Sequence, residues 1–168
     1  MDGLCGIYCL VHFLDRAPRI SKFGRTKAHA AFAALLESAE RAKLLTAAHI
    51  TRGFYAEDLA EIFNGTVLRK RLPFRASTLE TVAEKVDEAS GSTLLRRIFG
   101  EGGAAIVSVC GGQHWVLAES IGDNTDILVR DSGHSARHRK DELKRVSNAF
   151  DGVALLPRRS SLAGAFKG

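Results

Sequence analysis

Residues 104–131 read AAIVSVCGGQHWVLAESIGDNTDILVRD. Short apolar runs rich in β-branched residues alternate here with turns rich in Gly, Asp and Asn, which is the pattern of antiparallel strands joined by tight connections. Strands are predicted over 104–109, 114–121 and 127–130, and the later run 153–156 adds a fourth. This half of the chain therefore predicts an antiparallel sheet.

The residues before this sheet carry the periodicity of helices. Residues 5–14 are apolar almost throughout, and residues 26–45 set Ala, Phe and Leu at helical intervals among charged residues. Ser77 and Thr78 are candidate N-caps for a later helix, with Glu80 placed for a capping box. Helices are predicted over 5–14, 26–45, 55–63, 77–89 and 141–150.

Helices first and strands second describe an α+β domain whose first helix packs against the sheet. A chain of 168 residues with 45% hydrophobic residues is long enough to bury a core of its own. We expect residues 1–157 to form one domain. The Ser- and Gly-containing residues 158–168 are expected to form a flexible tail.

Composition excludes several classes of protein. Three cysteines without a C-x-x-C pair form neither a disulfide framework nor a zinc site, and no cofactor or metal is implied. The net charge of +5 comes from short basic groups interleaved with acids, so nucleic acid is not expected as a partner. No membrane span or signal peptide is recognisable, which predicts a cytoplasmic protein or one exported by a route that needs no signal.

One cysteine lies where a turn runs into the first apolar helix, in Gly3-Leu4-Cys5-Gly6. The positive end of a helix and its unpaired N–H groups favour a thiolate over a thiol, and small neighbours leave the sulfur accessible. Cys5 is therefore a candidate nucleophile. The alternative is a buried structural cysteine, which is the commoner fate of cysteines in apolar helices.

A base and an orienting carboxylate can be placed on the sheet. His114 opens a strand directly after the Gly-Gly turn, and Asp131 closes the next strand. In an antiparallel hairpin, the start of one strand and the end of its neighbour lie side by side, so the carboxylate can accept the imidazole N–H. Cys5, His114 and Asp131 then form a nucleophile, a base and an orienting residue, with Asp123 and Asp126 as rival orienters.

The order Cys, His, Asp, with helices before strands, resembles the papain-like cysteine peptidases. The Cys-Gly-x-x-x-Leu opening at Cys5, the His-Trp-Val strand at His114 and the Asp-x-Gly turn at Asp131 are most similar to the branch that cuts leaders after double glycine and its bacterial relatives. The resemblance spans residues 5–156. It implies a papain-like fold and thiol attack on an amide carbonyl, with these three residues in the catalytic positions.

One feature departs from that family, which places a Gln some residues before the nucleophile as a donor to the oxyanion. None of the four residues before Cys5 is Gln. The oxyanion hole would then use the backbone N–H of Cys5 with a neighbouring donor, or Gln113, or a Gln upstream of the sequence as given.

The predicted function is a thiol hydrolase that cleaves a peptide or amide bond in a protein or peptide substrate. A deamidase, a transglutaminase-like enzyme and a peptidoglycan-amidase effector use the same acyl-enzyme, and the triad does not distinguish them. A catalytically degenerate papain-like binding module is the alternative outside the enzymes.

Overall fold

The computed structural model describes residues 3–16, 25–70, 72–88, 90–109, 114–122, 127–131 and 151–162. Within these residues the chain forms six α-helices, one short 3₁₀ helix and five strands. The helices are α1 (Cys5–Arg16), α2 (Arg25–Arg41), α3 (Ala47–Arg52), α4 (Ala56–Gly65), α5 (Leu79–Val86) and α6 (Gly91–Gly100), and the 3₁₀ helix covers Val67–Lys70. The strands are β1 (Phe74–Thr78), β2 (Ala104–Val109), β3 (His114–Ile121), β4 (Ile127–Asp131) and β5 (Gly152–Pro157).

The α+β class is confirmed, because helices come first and an antiparallel five-stranded sheet follows. The sequence did not predict α3, α6 or β1. With six and five residues, α3 and β1 are too short to show a periodicity of their own, and α6 begins and ends on glycine, which lowers helix propensity. The helix predicted over 141–150 lies outside the described residues.

Two predicted helix boundaries shift. The helix predicted over 77–89 begins only at Leu79, because Ser77 belongs to β1 and Thr78 is the N-cap, its hydroxyl accepting from the Thr81 N–H at 3.2 Å. α2 ends at Arg41, four residues before the predicted end. Lys43 then adopts a left-handed φ of 59°, which stops the helix.

The strand order β1-β5-β2-β3-β4 brings several strand termini to one end of the sheet. β2 ends where β3 begins, with Val109 paired to His114, and β4 ends with Asp131 opposite Val116. We call this the His114 end. β1 begins at the other end, where Phe74 pairs with Pro157.

Helices cover both faces of the sheet. The face against α1 and α4, called the α1 face, contributes Phe74, Ala76, Ile106, Trp115, Leu117, Val153 and Leu155 to one core cluster. The opposite face, called the α5 face, packs α5 and α6 on Ala105, Val107, Val109, Val116, Ala118, Ala154 and Leu156. Adjacent strand residues therefore enter different clusters, as the two-residue repeat of a strand requires.

The residues after β5 pack onto the α5 face. Leu162 is buried in that cluster, and Ser161 donates from its hydroxyl and its backbone N–H to the Glu101 carboxylate. Both residues belong to the segment 158–168 that the sequence predicts to be a flexible tail. Residues 163–168 lie outside the described part of the chain.

α1 and α4 approach closely at a glycine. A Cβ atom on Gly6 would lie 2.7 Å from both methyl carbons of Leu59, a distance that van der Waals packing does not allow. The glycine beside Cys5 therefore serves helix packing in addition to any effect on access to the sulfur.

We predict that Gly6→Ala destabilises the fold by about 1–3 kcal/mol, because the added methyl overfills the α1–α4 contact. Leu59→Ala should cost less stability in the Gly6→Ala background than alone, since it relieves that clash. Urea denaturation of the four proteins measures both effects. Gly91→Ala is the control, because nothing lies within 4 Å of its added Cβ; independent, additive costs at positions 6 and 59 would contradict the prediction.

Glu101 gives a prediction for pH. Hydrogen bonds from the Ser161 hydroxyl and backbone hold the pKa of Glu101 below its usual range. A lowered folded-state pKa stabilises the protein at pH values above the unfolded-state pKa of about 4.3, and this stabilisation disappears as the pH falls through the folded-state pKa.

Glu101→Gln should therefore lower the urea midpoint at pH 7 and have a smaller effect at pH 3. Glu84→Gln, an exposed carboxylate on α5, is the control and should change neither midpoint. A Glu101→Gln effect of equal size at both pH values would show that the Ser161 contacts do not depend on the charge.

Candidate active site

The direction of α1 is fixed by two of its side chains. The Cys9 Sγ donates to the backbone oxygen of Trp115 at 3.3 Å, and Trp115 lies at the His114 end of the sheet. One turn later, the Phe13 ring packs edge-on against Phe74, at the opposite end, with ring centroids 5.0 Å apart. α1 therefore runs away from the His114 end, and Cys5, one turn before Cys9, lies at that end.

The three predicted catalytic residues are thus brought to one end of the sheet. Cys5 is the first residue of α1, His114 the first of β3 and Asp131 the last of β4. Cys5 and His114 are 6% and 4% exposed, so both side chains are shielded from bulk water. Asp131 is placed by its backbone pairing with Val116. The oxyanion candidate Gln113 lies outside the described residues.

Strand alternation divides these residues between the two faces. His114 pairs with Val109, and Asp131 pairs with Val116, two residues along from His114. Val109 and Val116 belong to the α5-face cluster, so His114 and Asp131 hold positions on the same face. Cys5 belongs to the α1-face cluster. The imidazole and the thiol can therefore meet only around the end of the sheet.

Trp115, the next residue, occupies the α1 face. It is 4% exposed, and its indole Nε1–H donates to the Phe54 carbonyl at 2.9 Å. Because its backbone oxygen also accepts a hydrogen bond from the Cys9 thiol, Trp115 links α1, β3 and the segment before α4. Cys9 is fully buried and serves this packing.

A buried hydroxyl also lies near this end. Ser108 is the last residue but one of β2 and pairs with Trp115, which places it on the α1 face. Its Oγ is buried and has no hydrogen-bond partner within the described residues. Leaving a buried polar atom unsatisfied costs about 1–3 kcal/mol, so such an atom calls for an explanation.

The sequence did not predict α3, which contacts Gly3, two residues before Cys5. The backbone N–H of Gly3 donates to the Ile50 carbonyl at 2.7 Å, which holds α3 against the start of α1. Thr46, whose hydroxyl accepts from the His49 N–H, is the N-cap, and Gly53 with a φ of 95° is the C-cap. A cap residue before Ala47 and a Gly after Arg52 are the local pattern that could have revealed this helix.

No group of three His, Cys, Asp or Glu side chains in the described part of the chain is arranged to hold a metal ion. Among the described helices, none combines the length and the apolar character needed to cross a bilayer.

Comparison of the chain with protein-family models, with curated proteins and with solved structures gives no match. The assignment of this site consequently depends on the residues and on their placement at the His114 end.

Proposed function

We propose that this chain is a papain-like thiol hydrolase in which Cys5 attacks the carbonyl carbon of a peptide or amide bond. The observation that supports the proposal is the meeting of three elements at the His114 end of the sheet. A helix N-terminus bears a cysteine, one strand start bears a histidine, and the neighbouring strand end bears an aspartate. This is the set of groups that covalent acyl transfer uses.

Each residue has a defined role in the reaction. His114 takes the thiol proton, the Cys5 sulfur bonds to the carbonyl carbon, and the C–N bond breaks as His114 returns the proton to the leaving amine. Water, deprotonated by His114, then attacks the thioester and releases the acid and the thiol. Asp131 accepts the second imidazole N–H and stabilises the imidazolium.

The reaction requires a ring nitrogen of His114 within about 3 Å of the Cys5 sulfur or of a bridging water. His114 is the first residue of its strand, so its side chain lies at the end of the sheet where α1 begins. The imidazole must turn over this end, away from the α5 face, to reach Cys5. This requirement makes His114 the residue on which the proposal depends most.

The backbone N–H of Cys5 supplies one donor for the tetrahedral oxyanion, because a helix N-terminus leaves such groups unpaired. The second donor has two candidates. Gln113 adjoins the base in sequence, and the Ser108 hydroxyl offers a buried O–H on the α1 face near the same end. A buried hydroxyl with no partner among the described residues can bond to an oxyanion without breaking any hydrogen bond seen in that part of the chain.

The substrate class follows from the chemistry: a protein or peptide carbonyl, with water or an amine resolving the acyl-enzyme. Hydrolysis gives a peptidase, deamidase or peptidoglycan amidase, whereas an amine acceptor gives a transglutaminase-like enzyme. The mechanism calls on no cofactor. It would suit an enzyme of the cytoplasm or an effector exported without a signal peptide.

A papain-like binding module that lacks catalysis is the second candidate function. Strand alternation favours it, because His114 shares its face with Val116 while Cys5 packs in the cluster of the other face. In such a module both side chains would be core residues, and the end of the sheet would bind a peptide without cutting it.

The hydrolase predicts that Cys5 reacts with iodoacetamide faster than Cys9 or Cys110 in the folded protein, measured by peptide mass spectrometry. His114→Ala should slow alkylation of Cys5 by up to about 10²-fold, the lower range for loss of a general base. His29→Ala, an exposed histidine on α2, is the control. Equal rates with and without His114 would reject the hydrolase in favour of the binding module.

The oxyanion donors are separated by substitution. The variant that removes the second donor, either Ser108→Ala or Gln113→Ala, should reduce Cys5-dependent turnover of p-nitrophenyl acetate about 10²-fold. Ser120→Ala, which removes an exposed hydroxyl from β3, is the matched control. Unchanged turnover in both variants would show that only backbone N–H groups form the oxyanion hole.

A further inference from the structure

Residues 46–58, which we call the brace, contact the chain on both sides of the proposed site. On the Cys5 side, Gly3 fits against its backbone so closely that an added Cβ would lie 2.6 Å from the Ile50 oxygen and 2.8 Å from the Gly53 nitrogen. The Gly3 N–H also donates to the Ile50 carbonyl. The position of the residues leading into Cys5 is therefore set by the brace.

On the other side the brace holds the strand that carries the proposed base. The Phe54 carbonyl accepts from the indole of Trp115 at 2.9 Å, and Trp115 is the neighbour of His114. A displacement of Phe54 would be transmitted to β3 through this bond. The brace thus contacts both the residues leading into the nucleophile and the residue next to the base.

His49 fastens the brace through three contacts. Its Nδ1 is 2.8 Å from the Thr46 hydroxyl, its Nε2 is 3.5 Å from the Asp58 carboxylate on α4, and its ring stacks on Phe54 with centroids 5.3 Å apart. Helix capping alone does not need this side chain, because the cap of α3 uses the His49 backbone N–H. The imidazole therefore connects Thr46 and Asp58, at the two ends of the brace, with Phe54 between them.

We propose that His49 is a positioning residue that sets the spacing between Cys5 and His114 by locking the brace. The inference rests on the proposed function, since it concerns the distance between that nucleophile and that base. His49 is not itself a catalytic residue in this proposal. It acts through Phe54 and Trp115 on one side and through Ile50 and Gly3 on the other.

The test compares alkylation of Cys5 by iodoacetamide in four proteins: the unchanged chain, His114→Ala, His49→Phe, and the double variant. Phe at position 49 keeps the stacking on Phe54 and removes both polar contacts. A misplacement of about 1 Å costs on the order of 10²-fold in rate. The measured quantity is the His114 factor, the ratio of the Cys5 alkylation rate with His114 to the rate with Ala at this position. We expect this factor to be about tenfold smaller in the His49→Phe background than in the unchanged chain. Arg52→Ala, at an exposed position on the same helix, is the control and should leave that factor unchanged.

Trp115 is the only tryptophan in the chain, so its fluorescence reports on the brace directly. We expect a red shift in folded His49→Phe and none in Arg52→Ala. A lowered melting temperature with an unchanged His114 factor would overturn the inference, because a purely structural role predicts that result. If His49→Phe fails to fold, Asp58→Asn, which keeps an oxygen for the Tyr55 N–H, undergoes the same comparison.

The two proposals fail in different ways. A His114→Ala effect that is present and equal in both backgrounds overturns the role of His49 and leaves the hydrolase standing. A His114→Ala variant that alkylates as fast as the unchanged chain overturns both.

Discussion

The position of Trp115 is constrained from two directions, and much of the structure depends on it. Its indole N–H donates to Phe54 and its backbone oxygen accepts from Cys9, so one residue fixes both the segment before α4 and the crossing of α1 over the sheet. A buried indole contributes a large apolar area, but a buried N–H without a partner would cancel about 1–3 kcal/mol of that gain. The chain therefore must bring a carbonyl to the α1 face at this point, and Phe54 provides it.

The sheet strands β2 to β5 and the helices α1, α2, α4 and α5 could be predicted, because turns and apolar spacing are local properties. α3 and β1 were not predicted, since each is held by a contact distant in sequence: Gly3 bonds to Ile50 of α3, whose caps are its one local signal, and β1 pairs with β5. In each case a contact distant in sequence outweighs local preference.

For the candidate site, the sequence placed Cys5 at a helix start, and His114 and Asp131 at neighbouring strand ends, and the structure has them there. The sequence could not show which face of the sheet each of these residues occupies. Alternation assigns His114 by its pairing with Val109, and that register depends on a hairpin whose geometry is not written in the residues around the histidine. The placement of α1 relative to its neighbours is a property of tertiary packing, in which the contacts of Gly6 with Leu59 and of Gly3 with Ile50 take part.

The strand order also bears on how the molecule is made. β5, the last strand of the described chain, lies between β1 and β2, so neither of those strands has its full set of neighbours until β5 is available. Pairings between residues so distant in sequence close large loops and slow folding. During synthesis, the nascent chain would hold its helices beside an open sheet, and acquire its stable core only after β5 had left the ribosome. A nascent chain of this kind exposes unpaired strand edges, and is the sort of intermediate on which chaperones act.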